Sequence, residues 1–208
     1  MQISWYSLFF IFLIGSFLGD LVETFYCRLT GGKWMRRSSL VWGPFSIVWG
    51  LGCAGLTALL YRHRHAGVWR LFILGTILGG IYEYLCSVFT EFAFGTVFWD
   101  YSHMPFNIGG RINLLYCFFW GIAAVLWFRW IYPPLSYGIN RFLMKYGKRF
   151  SNLFLVFMLT NIALSASALG RYHDRQKEVP AKTEAGIWLD KHFPDERIEA
   201  LYPNLILR

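Results

Sequence analysis

The stretch VWRLFILGTILGGIYEYLCSVFTEF, residues 68–92, decides the class of protein because it is apolar over a length that crosses a bilayer. Four more stretches share this character, and the predicted spans are Ile3–Cys27, Val41–Tyr61, Val68–Phe92, Ile112–Tyr132 and Ser151–Gly170. The chain of 208 residues is 56% hydrophobic and only 15% charged. We therefore predict an all-α, polytopic membrane helix bundle with about five transmembrane helices, which excludes an ordinary soluble enzyme, a disordered chain and a secreted disulfide scaffold.

Two segments outside these spans have their own character. After Pro133-Pro134, apolar residues recur at helical spacing with basic residues on the other face, which predicts one interfacial amphipathic helix in the headgroup region, apolar side down. Residues 171–208 are polar and divided by prolines into short pieces at 184–193 and 195–201. The prediction is a transmembrane helical domain over residues 1–170 and a polar C-terminal tail with short helices over residues 171–208, which docks on the membrane face.

The charge balance and the cysteines narrow the classes of ligand. A formal charge of +8 beside such apolar content indicates contact with anionic lipid headgroups, and we expect no nucleic-acid partner. Cys27, Cys53, Cys86 and Cys117 fall singly in four spans, so no disulfide framework and no metal site is predicted. The sequence has no phosphate-binding P-loop, so we expect no cofactor, and any energy source would lie on another subunit.

Small residues predict where helices approach each other closely. Gly15/Gly19, Gly75/Gly79 and Ala166/Gly170 each have the four-residue spacing that lets helix backbones pack at short range in a membrane. At the head of the second span, Gly43-Pro44 predicts an irregular helix start, which membranes tolerate only where the backbone is buried in protein or lines a cavity. A proline in the first turn is also an ordinary way to begin a helix.

Charged residues inside the spans predict a site on one half of the bilayer. Each costs about 2.5–3.5 kcal/mol to insert, so such residues are functional candidates. The ends of spans one and three face the same side, and so do the loops that follow them. The predicted substrate-binding residues at that side are Glu23, Arg37, Glu83, Glu91, Asp100, Tyr101, Asn107 and Arg111. Asp20 is interpreted as structural or solvated.

Arginine and carboxylate chemistry leaves two interpretations of this cluster. Arginine forms bidentate pairs with carboxylates and phosphates, so Arg37 and Arg111 are candidates to bind an anionic headgroup while Glu23 and Glu83 orient them. A buried carboxylate can also carry a proton or act as an acid or base. The alternative is an ion-pair network that only locks the first three spans together.

At these residues the chain resembles a family of bacterial integral membrane proteins known as ABC-transporter permeases of the type IV group. The most specific block is WDYS at 99–102 followed by FNIGGRI at 106–112, with further matches in GDLVE at 19–23 and RSSLVWGPF at 37–45. The chain departs from the family pattern at Asp20, Ile47 and Trp49. The resemblance implies a multi-pass protein of the bacterial inner (cell) membrane with a role in transport. The basic residues directly after the first span favour an external amino terminus and a cytoplasmic tail.

Three functions remain open from the sequence, and whether the protein is an enzyme is one of the open points. The first is a permease-like protein that binds or passes a small anionic solute, an ion or a lipid headgroup, as a homo-oligomer or with a separate partner subunit. The second is a membrane-embedded enzyme for a lipid-linked substrate, with Glu83 or Asp100 as acid or base and Tyr101 as proton donor. The third is a non-catalytic membrane assembly factor. Membrane lipids are expected partners in each case.

Overall fold

The computed structural model describes residues 3–32 and 34–207, and most of them are helical. The helices are α1 (Trp5–Gly31), α2 (Ile47–Leu60), α3 (Val68–Phe94), α4 (Leu114–Leu126), α5 (Tyr132–Gln176), α6 (Glu184–His192) and α7 (Asp195–Leu201). A 3-10 turn, Tyr61–His63, follows α2, and a π-helical turn, Trp127–Ile131, joins α4 to α5. Short antiparallel pairs join β1 (Thr96–Val97) to β4 (Ile206–Leu207), and β2 (Asn107–Ile108) to β3 (Ile112–Asn113). The all-α class is confirmed.

Within the described residues, three continuous helical stretches are long and apolar enough to cross a membrane: Trp5–Gly31, Val68–Phe94 and Leu114–Gln176. The predicted spans Ile112–Tyr132 and Ser151–Gly170 both fall largely in the third stretch. The predicted second span starts six residues later than expected, because Val41–Ser46 is irregular and α2 has only 14 residues. The structure supports a membrane protein with several apolar helices, while the count of five spans stays a prediction.

The chain between the fourth and fifth predicted spans differs from expectation. The helix continues through Pro133 and Pro134 and breaks at Gly147, whose φ of 70° favours glycine. Prolines are tolerated here because they follow a π-helical turn, at the first positions of the next helical segment. The residues predicted as an interfacial helix are helical, but their apolar face packs on α1, with the Phe10 and Phe142 ring centroids 5.1 Å apart. Protein therefore covers much of the face that was expected to lie on lipid.

Glycines bring the helices together in two hairpins, α1 with α2 and α3 with α4. A methyl group added at either of two glycines would overlap an indole of the facing helix, and the pairs are Gly19 with Trp49 and Gly79 with Trp120. The predicted close approaches at Gly15/Gly19 and Gly75/Gly79 are confirmed. The prediction for Ala166/Gly170 is wrong at Gly170, because the space beside its Cα is open.

The irregular segment before α2 is held inside the bundle by two buried polar side chains of α5. Asn161 Nδ2 donates to the carbonyl oxygen of Trp42 at 2.7 Å, and its Oδ1 accepts from the Trp42 amide at 3.2 Å. Ser165 Oγ accepts from the amide of Val41 at 2.9 Å. These bonds satisfy backbone groups that would otherwise be costly at membrane depth. The predicted irregular start at Gly43-Pro44 is confirmed.

The outer surface of the bundle is apolar, as lipid contact requires. Along α3, large apolar side chains four residues apart are exposed, namely Trp69, Ile73, Ile77, Ile81, Leu85 and Phe89. Such a stripe on a water-soluble protein would be an aggregation hazard. In a bilayer it is the surface that meets the acyl chains.

Residues after the last long helix fold back on the bundle. α6 and α7 bury Leu189, Phe193 and Ile198 against the end of α5, and Tyr202 donates its hydroxyl to the carbonyl oxygen of Ser39 at 3.2 Å. Burial raises the pKa of Tyr202 to about 12, so this hydroxyl remains a donor at neutral pH. The division of the chain at residue 170 stays a prediction.

Candidate functional site

A cavity of about 710 Å³ lies where the ends of α1 and α3 meet the starts of α2 and α4. The later part of α5 and the tail residues 201–204 complete its wall. This volume falls in the range of about 300–1,000 Å³ that is typical of sites for small organic ligands. The wall is mostly aliphatic and aromatic, and its charged side chains are Glu23, Arg36, Arg37 and Glu83.

The cavity reaches one end of the bundle and stops short of the connections at the other end. The lining residues nearest the opposite side are Phe12 on α1, Leu51 on α2 and Ala123 on α4. Neither the connection at 61–67 nor the stretch at 127–147 contributes to the wall. Within the described part of the chain, the cavity is therefore a one-sided pocket whose wall reaches only one end of the bundle.

Glu23 and Arg37, both predicted site residues, form an ion pair at this cavity. Arg37 donates from Nε and Nη2 to Glu23 Oε1, at 2.8 and 2.5 Å. Trp49 donates its indole N–H to Glu23 Oε2 at 2.9 Å. The side chains of Arg37 and Glu23 are only 15% and 24% exposed, so the pair is shielded from water on most sides. The Arg37 charge is thus compensated before any ligand arrives.

Glu83 and Tyr101, also predicted site residues, meet on the α3–α4 side of the cavity. Tyr101 donates its hydroxyl to Glu83 Oε1 at 2.8 Å, and Trp120 donates its indole N–H to Oε2 at 3.0 Å. Glu83 is 7% exposed. The Tyr101 ring stacks on Tyr116 with centroids 4.7 Å apart. Burial and the neighbouring carboxylate raise the pKa of Tyr101, so its hydroxyl keeps the proton that it donates.

Glu91 and Arg111 pair with each other away from the cavity. Arg111 Nη2 forms an ion pair with Glu91, and Nη1 donates to Ser87 Oγ at 3.2 Å. The carbonyl oxygen of Arg111 accepts from the indole of Trp99 at 2.9 Å. Neither member of the pair belongs to the cavity wall. The structure therefore separates Arg111 from Arg37, and the contacts of Arg111 fasten the loop between α3 and α4 to α3.

Asp100 and Asn107 shape the same loop. Asp100 Oδ1 accepts from the amide of Ser102 at 2.8 Å, which closes a tight turn. Asn107 donates to the carbonyl oxygen of Met104 at 2.7 Å and accepts from the amide of Gly110 at 2.9 Å. These contacts place Tyr101 over Glu83, but neither residue lines the cavity.

Asp20 lies deeper than expected. It is only 4% exposed, so the interpretation of Asp20 as a solvated residue is wrong. Its neighbours on α1, Ser16 and Gly19, pack against α2, which buries this part of the helix. Its Oδ1 has no hydrogen-bond partner among the described residues.

Arg36, which also lines the cavity, donates to the carbonyl oxygens of Leu40 and Gly43, at 3.2 Å each.

Two residues of this site, Trp49 and Trp120, were not among the predicted site residues. Their indoles bond the two carboxylates and face each other with ring centroids 5.6 Å apart. The signal in the sequence was a Trp-Gly pair inside a span, present at Trp49-Gly50 and again at Trp120-Gly121. In an apolar span, tryptophan is otherwise indistinguishable from a packing residue.

Metal binding has no support in the part of the chain that the structure describes. No group of three or more His, Cys, Asp or Glu side chains is placed there to hold an ion. The four cysteines all lie in this described part of the chain, and each is a free thiol.

Comparison with known proteins gives one match. A family model described as "Putative ABC-transporter type IV" matches residues 10–166, which is more than half of the chain. No curated protein and no solved structure matches. The matched region runs from α1 into α5 and holds the Glu23–Arg37 pair, the Glu83–Tyr101 pair and both indoles. Together with its apolar helices, the match identifies a membrane protein related to transport. The chain belongs to the ABC-transporter type IV family.

Proposed function

We propose that the chain is a permease-like membrane protein whose one-sided cavity binds an amphiphilic solute or a lipid. The apolar part of the ligand lies against the aliphatic and aromatic wall, and its polar group lies near Glu83 and the Glu23–Arg37 pair. The observation that carries this proposal is the cavity itself, since a mostly apolar wall of about 710 Å³ is interrupted by a few grouped polar side chains.

An apolar wall favours an amphiphile over a small inorganic anion. Each buried methylene contributes about 0.8 kcal/mol to binding. Among the described residues, the cations that a small anion would meet in the cavity wall are Arg36, which is held by backbone carbonyls, and Arg37, which is held by Glu23. Arg111, the other predicted anion ligand, is bound to Glu91 outside the cavity. An anionic headgroup therefore competes with contacts that are already made.

Transport is consistent with a pocket that reaches one side only. A permease that works by alternating access exposes its site to one side of the membrane at a time. In this proposal the bundle crosses the bacterial inner membrane five times, with the tail in the cytoplasm. α2 completes its crossing with the irregular residues 41–46 that α5 holds in place. A second copy or a separate partner subunit completes the solute pathway, and any energy source lies on a separate partner subunit.

A second candidate function is a membrane-embedded enzyme for a lipid-linked substrate. The one-sided pocket favours it, because an enzyme has no need of a path across the membrane. Tyr101 and Glu83, which share a hydrogen bond, would then be the residues that transfer the proton. The third possibility, an assembly factor, predicts ion pairs without a cavity, and the cavity counts against it.

The test fills the cavity and counts bound lipid. Ala166 lines the wall, whereas Ala163, on the same helix, is exposed and outside it. We expect Ala166→Trp to lose at least fivefold of the lipid that co-purifies with the wild type, as counted by native mass spectrometry, while Ala163→Trp retains it. Equal lipid content in the two variants, or none in the wild type, contradicts the proposal. If the wild type chemically converts a lipid and Glu83→Gln does not, the protein is the membrane-embedded enzyme instead.

A further inference from the structure

The two helix hairpins carry the same residues at the same spacing. Gly15-Ser16, Gly19 and Glu23 on α1 recur on α3 as Gly75-Thr76, Gly79 and Glu83. Trp49-Gly50 near the start of α2 recurs on α4 as Trp120-Gly121. Each hairpin thus has a first helix with two glycines and a glutamate, and a second helix with a Trp-Gly pair.

The repeated residues also make the same contacts. A Cβ at Gly19 would overlap Cβ, Cγ and Cδ2 of Trp49, and a Cβ at Gly79 would overlap the same three atoms of Trp120. A Cβ at Gly50 would overlap Ser16 Oγ and the backbone and ring of Phe12. A Cβ at Gly121 would overlap the equivalent atoms of Thr76 and Phe72. The two hairpins are structural repeats.

The repeats meet at the cavity. Each indole N–H donates to the glutamate of its own hairpin, at 2.9 Å for Trp49 to Glu23 and 3.0 Å for Trp120 to Glu83. The two indoles then face each other across the junction, inclined by 32°. Parallel repeats of this kind place a binding site on the axis between them in other membrane transporters.

The repeats differ in what compensates the glutamate. Glu23 has the guanidinium of Arg37, whereas Glu83 has the neutral hydroxyl of Tyr101. Among the described residues, no lysine or arginine forms an ion pair with Glu83. Of the aromatic side chains in the cavity wall, Tyr101 and Trp120 donate hydrogen bonds to Glu83, and the rings of Tyr116 and Tyr82 pack on those two residues. In one half of the cavity the carboxylate is paired with a guanidinium, whereas the carboxylate of the other half has aromatic neighbours and, among the described residues, no cationic partner.

We infer that Glu83 and these four rings form a subsite for a cationic, ammonium-type group of the ligand. Aromatic rings attract a cation, and a buried carboxylate without a cationic partner gains the opposite charge that its burial otherwise lacks. This subsite rests on the proposed function, because it names the polar group of the amphiphile that the cavity binds. The ligand class is an amine or quaternary ammonium compound with an apolar chain.

The test compares three probes that share a six-carbon chain: hexyltrimethylammonium, hexyl glucoside and hexyl phosphate. Binding is measured by equilibrium dialysis on the full chain in phosphatidylglycerol nanodiscs, which lack amines, with empty discs as the blank. We expect the wild type to bind the ammonium probe at least tenfold more tightly than the glucoside. Glu83→Gln should lose that preference and keep glucoside binding within twofold. Glu196→Gln, which removes an exposed charge from the tail, is the matched control and should keep the preference.

The outcomes separate this subsite from the proposed function. If the glucoside or the phosphate binds as well as the ammonium probe or better, the ammonium subsite is wrong and the amphiphile cavity stands. If no probe binds above the blank, both fail. Should Glu83→Gln not fold, Tyr116→Leu removes a ring and keeps the carboxylate, and it should weaken ammonium binding at least threefold without changing glucoside binding. Unchanged ammonium binding in that variant contradicts the inference.

Discussion

At the scale of single residues, a methyl group added at Gly79 would disturb the packing of α3 on α4. Gly79→Ala places a Cβ inside the indole of Trp120, and overpacking of this kind costs about 1–3 kcal/mol. Gly170→Ala places its Cβ in open space on a helix, where alanine is favoured over glycine by about 0.5–1 kcal/mol. We expect the first variant to lower the unfolding temperature in detergent and the second to leave it unchanged or raise it. The reverse order contradicts the packing described for the hairpins.

The Glu23–Arg37 pair makes a prediction about coupling. Removal of one member leaves a shielded charge alone, so Glu23→Gln and Arg37→Gln should each lower the free energy of unfolding by about 1–3 kcal/mol, less than for a fully buried pair because both side chains keep some exposure. The double variant should be more stable than the sum of the two losses predicts. Denaturant unfolding of the four proteins measures the coupling, and strictly additive losses would show that the pair does not interact in the folded bundle.

The same residues show what a sequence can predict about a site. Span parity predicted Glu23, Arg37, Glu83 and Tyr101 at one end of the bundle, because helix direction alternates along the chain, and the structure pairs Glu23 with Arg37 and Glu83 with Tyr101. Span parity predicts how deep in the bundle a residue lies, but not the direction in which its side chain points around the helix. Arg111 was therefore expected beside Arg37, whereas its loop turns it to Glu91. The roles of Trp49 and Trp120 were missed because, within an apolar span, the sequence does not distinguish a tryptophan that donates a hydrogen bond from one that only packs.

At the scale of elements, the irregular segment before α2 is held in part by the side chain of Asn161 on α5. Asn161→Leu keeps the volume but leaves the amide and carbonyl of Trp42 without partners, and each such group costs about 1–3 kcal/mol. We expect faster hydrogen exchange across residues 41–46 in this variant. Ser167→Ala, an exposed position on the same helix, is the control and should exchange like the wild type. Equal exchange in both variants would show that α5 does not hold the segment.

The docking of the tail on α5 predicts a dependence on pH. Hydrogen bonds from Arg171 and then Arg175 lower the pKa of Asp190 below its ordinary value of 3.8. A carboxyl whose pKa is lower when docked stabilises the docked form above the ordinary pKa. That contribution is lost as the pH falls from about that value through the lowered pKa. α6 should therefore stay docked at pH 5–8 and loosen below about pH 4.

Asp190→Asn tests the same contact at neutral pH. The variant should release α6 at pH 7 and make residues 184–193 more sensitive to protease. Arg175 should remain attached to Asp195, whose Oδ1 accepts from its Nε at 2.6 Å. Protease sensitivity equal to that of the wild type at pH 7 would mean that the apolar contacts of Leu189 and Phe193 alone dock the tail.

At the scale of the whole molecule, the hydropathy of the chain correctly predicted an all-α membrane protein. The glycine spacing correctly predicted the packed faces of α1 and α3 but failed at Gly170. The paths of the connections were harder to predict. Residues 41–46 are mostly apolar yet irregular, because the backbone of residues 41 and 42 bonds to side chains of α5 while the amides of residues 45 and 46 bond to Ser38 and Ser16. The chain breaks at Gly147 and not at Pro133-Pro134. Such choices depend on partners far along the chain, which a local pattern does not contain.

The central claim is that an amphiphile occupies the cavity between the two hairpins. Photolabelling tests it most directly, with an alkyl amphiphile that carries a diazirine at the end of its chain and with labelled residues located by tandem mass spectrometry. We predict labels on the inward-facing Phe12, Val48 and Ile162 in the wild type. In Ala166→Trp these labels should disappear while those on the outward Ile77 and Ile81 persist. Labels confined to the outward residues, or cavity labels that survive Ala166→Trp, would contradict the claim.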